Sequence, residues 1–267
     1  MKIGLLGFGA IGRLLYELIA SSTPQVTVAA VADRRERHDA LQPLLRRETA
    51  IVASADELAG LGLDLVVECA GQAALGADGP RILAAGTDLL IASVGALANL
   101  GIESSLRTAA AGSGARVLIP SGALGGLDVL AAASLVGLRE VNYFSNKAPS
   151  AWRGTEAERR VDLDSLSAPH AFFSGDARTA SLTFPQNANV AAAVALAGVG
   201  FEKTAVTLTA DPFATGNTHR IVASGDFGSI DITVSGRALK QNPKTSMLAP
   251  YSLLRTISDL RRVFVLA

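Results

Sequence analysis

The stretch KIGLLGFGAIGRLLYELIAS, residues 2–21, decides the fold. Its first part, KIGLLGF (2–8), reads as a buried strand. Its second part, IGRLLYELIAS (11–21), reads as a helix, with Leu14, Leu15, Leu18 and Ile19 at helical spacing. Between them Gly7-Phe8-Gly9-Ala10-Ile11-Gly12 matches G-x-G-x-x-G. A lone match is weak. Here it follows a strand, opens a helix and begins a βαβ unit whose next strand, VTVAAVAD (26–33), ends in Asp33. Asp33 comes 21 residues after Gly12, against about 20 for a dinucleotide fingerprint. Gly7 then serves the tight turn, Gly9 the close approach of backbone to a pyrophosphate, and Gly12 the packing of helix on strand. Ala10 and Ile11 begin the helix whose free N–H groups and dipole meet the phosphates. Asp33 would accept from the ribose hydroxyls, favouring NAD. Arg34 beside it suits a 2′-phosphate, so tolerance of NADP is also expected.

Outward from this unit, strand and helix signals alternate to about residue 120. Strands are expected at 50–54, 63–71, 88–93 and 115–120, and helical segments at 39–47, 56–61, 79–86 and 103–114. Near-continuous apolar strands alternating with helices imply a doubly wound parallel sheet of the Rossmann type, covered on both faces. Open sheets of this kind bind ligands at the C-terminal ends of their strands. Those ends include Cys69-Ala70-Gly71 and Ser93-Val94-Gly95, small residues that leave room for ribose and nicotinamide. Cys69 reads as a small buried apolar residue and not as a nucleophile.

The rhythm changes after residue 120. A helix is expected at 126–138, then a run opening at 140–149. Strands alternating apolar and polar follow at 177–184, 204–212, 218–226 and 228–238, with Asp226-Phe227-Gly228 as a hairpin turn. A last helix spans 246–260. The expected plan is α/β: a dinucleotide-binding domain at 1–120, then an α+β substrate and dimerisation domain at 121–245 carrying a mixed or antiparallel sheet. A C-terminal helix and tail at 246–267 would pack back on the first domain.

Composition sets outer bounds. Hydrophobic residues are 49% and charged residues 18% of 267, with mean hydropathy +0.34, enough apolar material for a sizeable core. Lys+Arg and Asp+Glu both total 24, which gives no reason to expect a nucleic-acid or anionic-membrane partner. The longest apolar run in the C-terminal half, 188–201, has 14 residues, short of the roughly 20 that span a bilayer. A single cysteine excludes an internal disulfide and fits a reducing compartment, so a cytoplasmic protein is expected. Three scattered histidines and one cysteine lack metal-ligand spacing.

Three polar or turn-rich segments stand out in the second half: IPSGALGGLDVL (119–130), FPQNANVAAAVALAG (184–198) and LKQNPKTSMLAP (239–250). Asn187 or Asn189 suits either a helix cap or a carboxamide facing the nicotinamide. GNTHRI (216–221) places His219 at a strand entrance, either as a polar residue there or as a proton-transfer group.

GFGAIG, VVECAG, SGALGGLD, FPQNANVAAA, GNTHRI and NPKTS, in this order over nearly the whole chain, resemble the L-aspartate dehydrogenases. The resemblance implies a two-domain homodimer that oxidises L-aspartate with NAD or NADP. The product iminoaspartate hydrolyses to oxaloacetate and ammonia, and its supply suggests a place in NAD biosynthesis. It implies His219 as the catalytic residue, and Ala123 and Asn189 as cofactor contacts beyond the glycine loop. A dicarboxylate substrate needs cations or hydrogen-bond donors, for which Lys147, Asn187, Lys244, Thr245 and Ser246 are the candidates, although Ser246 also suits a cap of the last helix. Alternatives on a similar plan are a homoserine dehydrogenase, a dihydrodipicolinate reductase, or a non-catalytic NAD(H) sensor. The histidine-rich stretch expected of the reductase is absent.

Overall fold

The computed structural model describes residues 1–239 and 242–265. The chain divides into two compact units. One comprises Met1–Ala96, Leu100–Pro120 and the stretch from Pro250, and the other Leu97–Asn99 and Ser121–Ala249.

In the first unit, strands β1 (Lys2–Leu6), β2 (Thr27–Ala32), β3 (Ala50–Val52), β4 (Leu65–Glu68), β5 (Asp88–Ile91) and β6 (Val117–Leu118) form one sheet of order β3-β2-β1-β4-β5-β6. All its pairs are parallel. Helices α1 (Ala10–Ser22), α2 (His38–Leu41), α3 (Ala55–Ala59), α4 (Gln72–Ala84) and α5 (Leu100–Ser113) lie along the connections. The order reverses between β1 and β4, the switch point where such sheets open a ligand crevice. Ile3, Leu5, Leu65, Val67 and Leu90 are fully buried between the strands and α1's Leu15 and Ile19. Each contributes about 1.5–3 kcal/mol by leaving water.

The second unit holds a five-stranded sheet of β7 (Leu138–Lys147), β8 (His170–Asp176), β9 (Thr204–Ala210), β10 (Asn217–Gly225) and β11 (Gly228–Gly236), in the order β11-β10-β7-β9-β8. Neighbours are antiparallel except β7 and β9, which run parallel. Helices α6 (Leu127–Ser134), α7 (Ala177–Thr183) and α8 (Asn189–Ala197) pack together, and α8 lies against β9. A small hairpin, β12 (Ala238–Leu239) with β13 (Asn242–Ser246), precedes α9 (Leu248–Asp259). Leu253 and Ile257 of α9 join the core of the first unit.

Alternation decides which side chains β7 and β10 bury. On β7 these are Val141, Tyr143, Ser145 and Lys147, and on β10 Asn217, His219, Ile221 and Ala223. The strands are antiparallel with His219 opposite Ser145. The polar end of one inward face therefore meets the polar end of the other.

One segment departs from expectation. Residues 177–184 alternate like a strand, yet Ala177–Thr183 is helix α7. Two local facts override the pattern. Asp176 caps the helix, its carboxylate accepting from Thr179 N at 2.8 Å and Thr179 Oγ1 at 2.7 Å. Buried Ala177, Ala180, Ser181 and Phe184 fall at helical spacing, not strand spacing. The strand here is β8, just before the cap. Asp226-Phe227 is the hairpin turn between β10 and β11, with Gly228 at φ +117°. Among the described residues, no helix is long and apolar enough to cross a membrane.

Removing the cap should be measurable. Asp176→Ala is expected to lower stability in urea unfolding by about 1 kcal/mol, and Asp176→Asn by less. An unchanged midpoint in the alanine variant would mean that burial alone holds α7.

Candidate active site

The glycine loop explains itself atom by atom. Gly7 has φ +92°, a conformation that costs other residues about 1–2 kcal/mol. A Cβ on Gly7 would come within 2.7 Å of Ala70, and one on Gly12 within 2.4 Å of Gly7 O. A Cβ on Gly9 would meet nothing within 4 Å, so the space in front of Gly9 is open to a ligand. Gly9 is also the N-cap of α1, with no side-chain cap and no acidic residue in the first turn. The first N–H groups of that helix, at Ala10, Ile11 and Gly12, have no intrahelical acceptor and form an anion site. A cavity of about 320 Å³ lies here, lined by Gly7, Gly9, Asp33, Arg34, Cys69 and Ala70, among others. These residues fit a dinucleotide: a phosphate end at the helix and a polar end at Asp33.

The polar end is more crowded than the sequence suggests. The Asp33 carboxylate accepts from Phe8 N at 3.0 Å, Arg34 N at 2.8 Å and Arg37 Nη1 at 2.8 Å. Arg37 also donates to Phe8 O at 3.1 Å and lines the cavity. Asp33 is thus an organised acceptor with about one free lone-pair site out of four. Arg37 is the partner that sequence reading passed over, although Asp33 and Arg37 stand at i,i+4. The Arg34 side chain is exposed.

A second residue that sequence reading passed over is Glu68. It is fully buried at the end of β4. Its carboxylate accepts from Ala70 N (2.8 Å), Gly71 N (2.7 Å), Ser93 N (2.9 Å) and Ser93 Oγ (2.9 Å). Burial raises its pKa, and these bonds oppose the rise. Glu68 therefore clasps the ends of β4 and β5 in the geometry that sets Ala70 against Gly7. Ser93 serves this clasp with both its hydroxyl and its backbone. Burial, with the neighbouring Glu68 charge, pushes the Cys69 thiol well above its ordinary value, so Cys69 offers a small wall and no thiolate.

In the second unit the polar ends of β7 and β10 form a buried cluster. Lys147 and His219 are each 2% exposed. Lys147 Nζ donates to Asn187 Oδ1 at 3.3 Å and sits 5.2 Å from the centre of the Trp152 ring. No carboxylate pairs with it among the described residues. Burial lowers the Lys147 pKa to about 8. His219 Nδ1 is bonded to Tyr143 Oη at 2.7 Å. Burial and then the Lys147 charge push His219 down to about 3, so its ring is neutral at any ordinary pH. Among the described residues, His219 Nε2, Asn187 Nδ2 and Asn217 Nδ2 are buried without hydrogen-bond partners. Unpaired buried polar groups cost about 1–3 kcal/mol each, and three groups of this kind beside a buried ammonium point to a ligand. Asn217 shares the inward face of β10 with His219, a placement that its i,i+2 spacing makes readable.

The other candidates sort as follows. Ala123 is buried in the loop 121–126. Asn189 is the first residue of α8, whose N-cap is Ala188 with no side-chain cap bond, so neither Asn187 nor Asn189 caps it. Ser246 Oγ accepts from Leu248 N at 3.2 Å and caps α9. Thr245 is half-buried on β13. The side chain of Lys244 lies outside the described residues. Among the described residues, no group of three or more His, Cys, Asp or Glu has the geometry to hold a metal ion.

The family model "Aspartate dehydrogenase, C-terminal" matches residues 128–260, and "Homoserine dehydrogenase, NAD binding domain" matches 7–120. An L-aspartate dehydrogenase of Polaromonas sp. is 41% identical over 100% of both chains. One of Pseudomonas aeruginosa is 40% identical over 97% of each. The crystal structure of aspartate dehydrogenase from Thermotoga maritima superposes with TM-score 0.77 at 28% identity, covering 100% of this chain and 99% of that one. A hyperthermophilic archaeal homoserine dehydrogenase shares the fold, with TM-score 0.62 at 12% identity over 99% and 98%. At full length and some 40% identity to these relatives, the chain belongs to the L-aspartate dehydrogenase family.

Proposed function

We propose that this protein catalyses the NAD(P)-dependent oxidative deamination of L-aspartate, with His219 as acid and base. The observation that carries the reading is the buried donor cluster of Lys147, Asn187 and Asn217 around a neutral histidine. A dicarboxylate supplies the missing counter-charge for Lys147 and acceptors for both carboxamides. The glycine loop with Ala10, Ile11, Arg34, Cys69, Ala70 and Ser93 would hold a dinucleotide, the family resemblance adding Ala123 and Asn189 as contacts, and that group when bound would supply the acceptor for the hydride from Cα. As the Cα–H bond breaks, the amine loses a proton and a C=N bond forms. Water then adds to the imine carbon and ammonia leaves, giving oxaloacetate. His219 Nε2 takes the proton and returns it. A carboxylate on Lys147 cancels the charge that depresses His219, so the base strengthens when substrate is in place. Lys244, Thr245 and Ser246 are assigned to the same substrate site, Ser246 also as a helix cap. A homodimer rests on the family resemblance, and a cytoplasmic location on the single cysteine.

The first test is NADH formation with L-aspartate against homoserine, alanine and glutamate. Aspartate is expected to be preferred. NADH binding without turnover of any amino acid would overturn the reading. His219→Ala should lower kcat about 100- to 10,000-fold and leave NADH binding intact.

Lys147 has its own signature. Succinate lacks the amine, so its inhibition reports the cation alone. Because the folded pKa of Lys147 is lowered, its charge is present below about 8 and lost above. Succinate inhibition should weaken as pH rises through that value, and Lys147→Met should abolish the dependence. A flat profile in the parent would remove Lys147 from the site.

Asp33 and Arg37 are assigned the choice between NAD and NADP. Asp33→Ala should shift the kcat/KM ratio about tenfold toward NADP, a change of about 1.4 kcal/mol. Unchanged preference would remove Asp33 from the ribose.

A further inference from the structure

The hydrogen bond between Tyr143 and His219 joins residues 76 apart in sequence. Tyr143 is fully buried on β7. It pairs with Ile221 of β10, while His219 pairs with Ser145. Tyr143 is therefore a diagonal neighbour of His219, a separation that an aromatic side chain spans. The two rings lie nearly parallel, at 11° with centres 6.0 Å apart. The phenol fixes the ring by Nδ1, and Nε2 is the nitrogen left without a partner among the described residues.

The direction of that bond determines what His219 can do. When the phenol donates to Nδ1, the neutral ring carries its proton on Nε2 and acts only as a donor there. To accept a proton at Nε2, the ring must carry its own on Nδ1 and donate it to Tyr143 Oη. The phenolic hydrogen then needs another acceptor. The Ser145 hydroxyl is buried on the same inward face and directly opposite His219. It makes no hydrogen bond among the described residues and stands two residues from Tyr143 on the inward face of β7, where its hydroxyl opposes the upward push that burial exerts on the phenol's pKa. That push keeps the phenol protonated, with one hydrogen always available to turn.

We propose that Tyr143 is the positioning residue of His219. Its hydroxyl turns between Nδ1 and the Ser145 hydroxyl, which sets the histidine tautomer and so decides whether Nε2 can act as base. The proposal rests on the acid/base reading of His219. No bond to carbon is made or broken in this step. The proton that Nε2 takes from the substrate or water is returned from Nε2, the ring passing through the imidazolium with its Nδ1–H still donated to Tyr143 Oη, so no proton passes through the phenol. The charged group facing His219 is Lys147, from the same strand as Tyr143.

The test is Tyr143→Phe, which keeps the ring and removes the hydroxyl. Nitrogen-15 NMR of the imidazoles distinguishes the two tautomers, and the chain has only three histidines to assign. The expected result is a changed tautomer ratio at His219, a fall in kcat of about 10- to 100-fold within the range of acid/base effects, and unchanged KM for NAD. Ser145→Ala should change the tautomer ratio in the same direction with a smaller fall in kcat, and it carries the test if Tyr143→Phe does not fold. The parent's tautomer ratio and kcat in the folded variants would overturn the proposal. If His219→Ala retained turnover, the acid/base reading itself would fall. If His219→Ala were inactive while Tyr143→Phe matched the parent, only the role of Tyr143 would fall.

Discussion

The second unit is organised around an ammonium group, that of Lys147, buried without a carboxylate partner among the described residues. Taking a lysine out of water is costly unless it is paired. Lys147 is offset only in part, by the carboxamide oxygen of Asn187 and the face of Trp152. The surrounding fold supplies the remainder. Trp152 is itself held by edge contacts with Phe172 and Phe184, and strand β7 fixes the lysine backbone between β9 and β10. The site is thus electrostatically incomplete, and its incompleteness is specific. It lacks negative charge, beside a histidine that cannot supply any. On the proposed reading an anionic substrate would supply that charge and alter the basicity of the histidine with it.

The first unit solves the opposite problem. Its ligand brings negative phosphates, and the fold answers with N–H groups at the start of α1. The acidic groups nearby are kept occupied. Glu68 is saturated by four donors from its own backbone neighbourhood and Ser93. Asp33 accepts from Phe8, Arg34 and Arg37, with about one lone-pair site left over.

The parallel sheet was legible because its strands are apolar runs and its turn is glycine-bound for steric reasons visible at Gly7 and Gly12. The helix at 177–183 was not, because Thr and Phe at alternate positions imitate a strand and the capping role of Asp176 depends on where β8 ends. Lys147 and His219 were singled out by residue type and resemblance, but their burial was not visible. A lysine in an alternating strand reads as a solvent-facing charge until the phase set by Val141 and Tyr143 is followed to its end. Arg37 and Glu68 were in plain view, one at i,i+4 from Asp33 and the other inside a quoted strand. Their hydrogen bonds depend on loop paths that periodicity does not encode. The bond between Tyr143 and His219 is purely tertiary.

The pairing of β7 with β10 has a wider consequence. Lys147, Ser145 and Tyr143 lie inward on one strand, Asn217 and His219 inward on the next. A slip of one residue in β10 would turn its whole inward set outward. Thr218 and Arg220 would enter the core in place of Asn217 and His219, and Arg220 would lose the outward pairing it makes with Asp231. Such a chain would fail to assemble rather than fold into an inert protein. Quality control of the fold and quality control of the chemistry are therefore one event, read from a single row of backbone hydrogen bonds.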